Sequence, residues 1–172
     1  MNRVLSADKN VNSFDVELDE SDLRILSALQ ANARATFAEL GVLVGLRPPA
    51  VHERVKRLEA RGYIRGYTAR IDPRKLGFEL VAFVSAYTTA DVDYDRFHAA
   101  VARLPEVVEV HSVAGEESFV LKVLTRSTAH LDDFLSRLKS VPGIARTKTT
   151  IVLSTPLERT GIALEELAGV AL

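Results

Sequence analysis

The sequence predicts an α+β protein: a helical N-terminal domain followed by a ferredoxin-like βαββαβ domain. Three observations carry that prediction. Residues 16–62 hold three consecutive helical patterns with consistent start and stop signals. After Gly62 the apolar period changes from helix-like to strand-like. Residues 78–156 then read strand, helix, strand, strand, helix, strand, which is two similar halves of a split βαβ fold.

Taken in order, residues 1–15 are polar, show no sustained period, and are expected to form a mobile arm. The first helix starts at Asp19, with Asp22 three residues on as a capping box and Leu18 with Leu23 as a hydrophobic staple. Ile25, Leu26 and Leu29 continue its buried face. The second begins at Thr36-Phe37-Ala38-Glu39, again a capping box, and stops near Gly45. Leu46 and Arg47 make a tight connection, and Pro48 suits the first turn of the third helix, which runs to a stop at Gly62. Helix, short helix, abrupt turn and basic helix is the helix-turn-helix, winged-helix-like pattern.

That third helix is the most informative element. Val51, Val55 and Leu58 recur at i, i+4 and i+7 and form one stripe that must face a core. Pro49, Glu53, Lys56, Arg57 and Ala60 fall opposite it. Such a helix fits the major groove of double-stranded DNA. Its N-terminal half, Pro49, Ala50, His52 and Glu53, is expected to meet base edges or methyl groups. Lys56, Arg57 and Arg61 are placed for phosphates. For Arg54, beside the buried stripe, an internal ion pair and a phosphate contact are equally expected.

The linker, residues 63–77, opens with strand formers from Tyr63 to Ile71 and turns at Asp72-Pro73. In residues 78–156 the strands are Phe78–Tyr87, Val107–Val113, Phe119–Leu124 and Thr147–Ser154, and the helices Tyr94–Leu104 and Ser127–Val141. Residues 157–172 form a C-terminal tail. Leu80, Ala82, Val84 and Ala86 alternate with Val81, Phe83, Ser85 and Tyr87, so both faces of the first strand are largely apolar. Two helices cover one face only. The other is expected to join a second copy in a homodimer, unless the tail from Gly161 to Leu172 covers it.

Net charge is −1, but it is unevenly spread: Arg47 to Lys75 carries nine Lys/Arg against three Asp/Glu, and the rest of the chain is net acidic. A basic segment on an acidic body fits one part that touches phosphate. The chain has no cysteine, which excludes disulfides and thiolate metal sites. The N-terminus has no signal-peptide core, and no apolar run nears the ~18 residues of a membrane span, so a cytoplasmic location is expected. His52, His98, His111 and His130 show no metal-ligand spacing, and no nucleophile motif is present, so neither an enzyme nor a metal or other cofactor is expected. His98 and His130 are read as helix-surface residues.

Leu18-Asp19, Asp22, Ile25-Leu26, the run Leu46–Glu59 with Glu53-Arg54-Val55 and Arg57-Leu58-Glu59, and Gly62-Tyr63-Ile64 with Gly66-Tyr67 resemble the Lrp/AsnC (leucine-responsive, feast/famine) transcription regulators. Val110-His111-Ser112-Val113-Ala114-Gly115 and Val141-Pro142-Gly143-Ile144 sit where the second domain of that family has them. The similarity spans about residues 16 to 156. It implies DNA binding by dimers that assemble into tetramers or octamers, and an amino-acid effector bound between dimers. Two other functions are compatible with the fold: a nucleoid-architectural protein with little sequence preference, and a haem-precursor decarboxylase of the kind that shares the second domain.

The resemblance also carries two departures. A Ser commonly caps the third helix in the family, where this chain has Arg47; the change loses a cap worth about 1 kcal/mol and sets a cation at the groove. The family's hairpin loop reads Gly-Asp-aromatic-Asp and helps to hold the ligand's amino group. Here it is Gly115-Glu116-Glu117-Ser118, so Glu116 keeps the first charge and Ser118 loses the second. By position, Thr128 and Thr149-Thr150-Ile151 would complete the pocket wall. The expected consequence is an altered effector, weaker binding or none; an ordinary acidic turn is the alternative.

Overall fold

The structure is a computed structural model that describes residues 18–159 and 161–164. The expected arm, residues 1–15, and the end of the tail lie outside them. The chain divides into two compact units. One holds the described residues up to Ala69 with those from Arg159 onward, and the other is Arg70–Glu158.

In the first unit, α1 (Glu20–Ala31), α2 (Phe37–Val44) and α3 (Pro48–Ala60) follow the sequence signals closely. Asp19 accepts from the Asp22 amide at 2.8 Å, and the Asp22 carboxylate returns the bond to the Asp19 amide. Thr36 and Glu39 repeat this reciprocal cap at α2. Each box satisfies two amides that a helix start leaves without partners. Beneath them Ile25, Leu40, Val51, Val55 and Leu58 form one buried cluster, flanked by Leu18, Leu26, Leu29, Val44, Leu46 and Ile64.

The strand expected over Tyr63–Ile71 is not formed. The Tyr63 and Ile64 amides instead turn back to the Leu58 carbonyl and close α3, around Gly62 at φ 77°. β-branched and aromatic residues make a strand only where a partner strand stands opposite. Among the described residues none does, and the segment runs on to a single 3-10 turn at Arg74–Leu76.

The second unit is a four-stranded antiparallel sheet with two helices. Its elements are β1 (Leu80–Thr88), α4 (Tyr94–Val101), β2 (Val107–Ser112), β3 (Phe119–Thr125), α5 (Thr128–Lys139) and β4 (Ile144–Ile151), in the spatial order β2-β3-β1-β4. That is the expected ferredoxin-like arrangement, with β4 set about three residues earlier than its apolar residues suggested. Ala82, Val84 and Ala86 lie opposite Val123, Leu121 and Phe119, all buried. Over them pack Phe97 and Val101 of α4 with Leu131, Phe134 and Leu138 of α5.

The other face is less apolar than the alternation suggested. By register it carries Val81, Phe83, Ser85 and Tyr87 with Val120, Leu124 and Thr150, but also Lys122, Glu109, His111, Lys148 and Arg146. Glu109 binds Lys122 and His111, each at 3.0 Å, and the Arg146 guanidinium lies 3.4 Å from the Tyr87 ring centre. Phe83 at its centre remains 40% exposed. Of the described tail, Glu158 stands 3.9 Å from Lys122 on this face, and the Ile162 amide and carbonyl bond the Gln30 side chain of α1.

His130 lies at the helix surface, 30% exposed, but its ring is engaged on both nitrogens. The Arg126 amide donates to its Nδ1 at 3.2 Å, so Nε2 carries the proton and donates to buried Glu106 Oε1 at 2.8 Å. Arg137, two turns along the same face of α5, binds the same oxygen. This ties α5 to the loop before β2. Burial pushes the Glu106 carboxyl up, but Arg137, a backbone amide and His130 outweigh it and hold it at about 2. The folded value lies below the ordinary 4.5, so the stabilisation is complete above pH 4.5 and is lost as pH falls toward 2. Replacing Glu106 by Gln should cost on the order of 1 kcal/mol at pH 7, a figure kept low because Arg137 is half exposed. It should also reduce the drop in Tm between pH 7 and pH 3 seen by circular dichroism. Equal drops in both proteins would show that this cluster does not set the acid limb.

Candidate functional site

The turn between α2 and α3 is set by backbone proximity. Gly45 ends α2 at φ 70°, a left-handed conformation that suits glycine. The Leu46 amide then donates to the Gly41 carbonyl at 2.9 Å. The Leu46 carbonyl passes so close to Gly41 that a Cβ there would sit 2.5 Å from its oxygen. Gly41 escaped the sequence reading, although a glycine inside a short helix, at a cost near 1 kcal/mol, is a sign of close backbone approach. Arg47 occupies the N-cap of α3 with no side-chain cap bond, and Pro48 follows at the first helical position.

From this turn α3 leaves with Val51, Val55 and Leu58 buried, and Arg47, Pro49, Ala50, His52, Glu53, Lys56, Arg57 and Arg61 exposed. One flank holds His52, whose ring lies 5.1 Å from that of Phe37, with Lys56 and Glu59 beyond it along a shallow cleft of about 380 Å³. Tyr67 donates to Glu59 at 2.9 Å and closes the end of that cleft.

The other flank is an ion cluster. Arg54 Nη1 donates to Asp22 Oδ1 at 2.8 Å and also binds Asp19. Arg57 Nη2 donates to both Asp22 oxygens, at 2.8 and 3.1 Å. Of the two expectations for Arg54 the structure displays the ion pair, and it places Arg57 there as well. Burial raises the Asp19 carboxyl, but the Asp22 amide and Arg54 outweigh it and leave it below its usual value; Asp22 and Asp19 raise that of Arg54. The sequence reading used Asp22 only as a cap. Asp22, Ile25, Leu26 and Leu29 share one helix face, and a carboxylate on an apolar face calls for a cationic partner. Arg47 and Lys56 have no ion-pair partner among the described residues.

The residues expected around an effector are not gathered within one chain. Gly115 and Glu116 are exposed in the β2–β3 hairpin. Ser118 turns its hydroxyl to Thr88, bonding the amide at 3.3 Å and the hydroxyl at 2.7 Å. Thr128 begins α5 beyond the far end of β3, roughly 20 Å along the strand from the hairpin. Thr149 and Ile151 lie opposite Val84 and Ala82 on the helix-covered face, whereas Thr150 lies opposite Phe83 on the other. Thr149 lines a cleft of about 470 Å³ with Leu135, Lys139, Arg146 and Thr147. His111 is held by Glu109, and among the described residues no cluster of His, Asp and Glu is placed to hold a metal ion.

Residues 18–59 match the AsnC-type helix-turn-helix domain, and residues 81–162 the Lrp/AsnC ligand binding domain. The chain is 35% identical to the HTH-type transcriptional regulator FL11 of Pyrococcus horikoshii, over 87% of this chain and 99% of that protein. It superposes on a transcriptional regulator from Neisseria meningitidis, solved as its L-Met complex, with a TM-score of 0.83 at 30% identity, covering 87% of this chain and 99% of that one. A feast or famine regulatory protein from Mycobacterium tuberculosis, complexed with L-methionine, gives a TM-score of 0.79 at 39% identity over 84% of this chain and 98% of that one.

The Gly41 contact yields a direct test. Gly41→Ala should destabilise the first unit by roughly 1–3 kcal/mol despite the better helix propensity of Ala, because the Leu46 carbonyl is backbone and cannot move aside. Urea unfolding measures this, and an unchanged midpoint would show that the turn relaxes freely.

Proposed function

This chain belongs to the Lrp/AsnC family of transcriptional regulators, and on that premise we propose that α3 reads operator DNA. The observation that carries the reading is the two-sidedness of α3. Val51, Val55 and Leu58 are buried, while the opposite surface is exposed and carries small, polar and basic residues. Pro49, Ala50, His52 and Glu53 are assigned to base edges, and Arg47, Lys56 and Arg61 to phosphates. Residues 16–62 form the reading domain in this proposal, and residues 78–156 the domain for effector binding and assembly.

A second copy is assigned to the open face of the sheet, where exposed Phe83 lies among Val81, Tyr87 and Leu124. A two-fold dimer would present two copies of α3 to two half-sites, and further association into tetramers or octamers would follow from that unit. The effector class is an amino acid. L-methionine in the Neisseria meningitidis and Mycobacterium tuberculosis structures supports this, as does acidic Glu116 in the hairpin loop. Because Ser118 is bonded to Thr88 and Thr128 lies at the far end of the sheet, a site using both would draw them from different copies. We assign no catalytic step to the chain and place its work in the cytoplasm; among the described residues no helix is long and apolar enough to cross a membrane.

Two measurements test this reading. At one fixed salt concentration, the full chain should bind its own promoter at least about 10³-fold more tightly than random duplex. Equal affinities would point to nucleoid architecture instead. A thermal-shift series with L-methionine and the other amino acids should raise Tm for at least one of them, since ligand at 100 times its Kd adds about 2.7 kcal/mol. No shift with any would remove the amino-acid effector from the proposal.

A further inference from the structure

We propose that Asp22 is a positioning residue for DNA reading: its buried carboxylate competes with DNA phosphate for Arg54 and Arg57. Two of the basic side chains of α3 are thereby kept out of the non-specific electrostatic contact. The inference rests on the reading of α3 as the DNA-facing helix and deepens it.

The geometry is that of a saturated carboxylate. The Asp22 side chain is 2% exposed, and both its oxygens are occupied, by Arg54 on Oδ1, by Arg57 on both, and by the Asp19 amide on Oδ2. Asp19, Asp22, Arg54 and Arg57 together sum to zero charge. Arg54 is largely enclosed at 24% exposure, but Arg57 is 47% exposed and stands at the margin of the outward face. On sequence alone it would count as a phosphate ligand equal to Lys56.

Electrostatics separates the two. For Arg57 to serve a phosphate it must release, or share, a carboxylate that cannot be rehydrated, leaving Asp22 with Arg54 and the Asp19 amide alone, and a buried charge that loses part of its compensation is destabilised. Lys56 gives up only water. Non-specific affinity comes mainly from phosphates neutralised, so holding back two arginines lowers binding to all sequences alike while leaving base contacts intact. Such a uniform loss leaves the ratio of specific to non-specific binding as it was, so the cluster acts on that ratio through the orientation of α3. Since Arg54 and Arg57 are three residues apart, their shared anchor on α1 also fixes the roll of α3 about its axis and keeps Pro49 and Glu53 pointing outward.

The experiment measures the slope of log Kobs against log salt concentration on a random duplex, with the promoter duplex in parallel, using the full chain. Lys56→Ala should flatten the slope by about 0.9, the value for one phosphate contact, whereas Arg57→Ala should leave it unchanged. Asp22→Asn, if it melts cooperatively, should steepen the slope by about 0.9 on both duplexes as Arg57 is released, and should narrow the promoter-to-random ratio as the anchor that fixes the roll of α3 is lost. Should Asp22→Asn fail to fold, the contrast between Lys56→Ala and Arg57→Ala decides alone. Equal flattening by those two, or a folded Asp22→Asn with the wild-type slope, overturns the competition. A slope indifferent to Lys56→Ala overturns the placement of α3 itself.

Discussion

The near-contact between the Leu46 carbonyl and Gly41 governs the DNA-facing unit. Only three residues, Gly45, Leu46 and Arg47, separate α2 from α3, and the chain reverses there with a left-handed glycine and a bond back to Gly41. Because the two backbones come so near, the steric contact at Gly41 and the hydrogen bond from the Leu46 amide constrain the direction in which α3 leaves. Val51, Val55 and Leu58 then meet Ile25 and Leu40 without further adjustment. The exposed surface of α3 is what remains once that stripe is buried.

The second unit obeys a different constraint, the strict alternation of strands. Register places Ala82, Val84 and Ala86 beside Val123, Leu121 and Phe119, so small side chains on the central strand admit large ones on its neighbour. The Phe97 and Phe119 rings stack at 4.3 Å over that layer. The same register sends Phe83 outward with Lys122 and Thr150 at its sides. The open face is therefore a mosaic, apolar at its centre and charged around it, which is the composition of a specific interface more than of a second core.

What could be read in the sequence was what is local. Asp19 with Asp22, Thr36 with Glu39, and Gly45 each act within a few residues, and all three helices took shape where those signals put them. The order of strands followed from repetition and turn chemistry. What the sequence did not show is non-local. Tyr63 to Ile71 has the composition of a strand but no strand opposite it among the described residues. His130 looked solvated because nothing nearby in sequence announced Glu106, 24 residues away. Arg57 looked like Lys56 because helix position alone does not reveal a carboxylate 35 residues upstream. The grouping of Thr128 with Ser118 came from family likeness, and within one chain the sheet sets them at opposite ends.

The order β2-β3-β1-β4 leaves two strands bordered on one side by nothing in the described chain. Exposed rows of amides and carbonyls invite further strands from any passing chain, the first step toward insoluble aggregate. Both borders carry features that oppose it. β4 bears Arg146 and Lys148 among its threonines, and β2 bears Glu109 next to a break in register after Val107. Charge on one margin and an irregular ladder on the other make sideways stacking unfavourable. Contact with further chains is thereby steered away from the margins of the sheet and onto its faces.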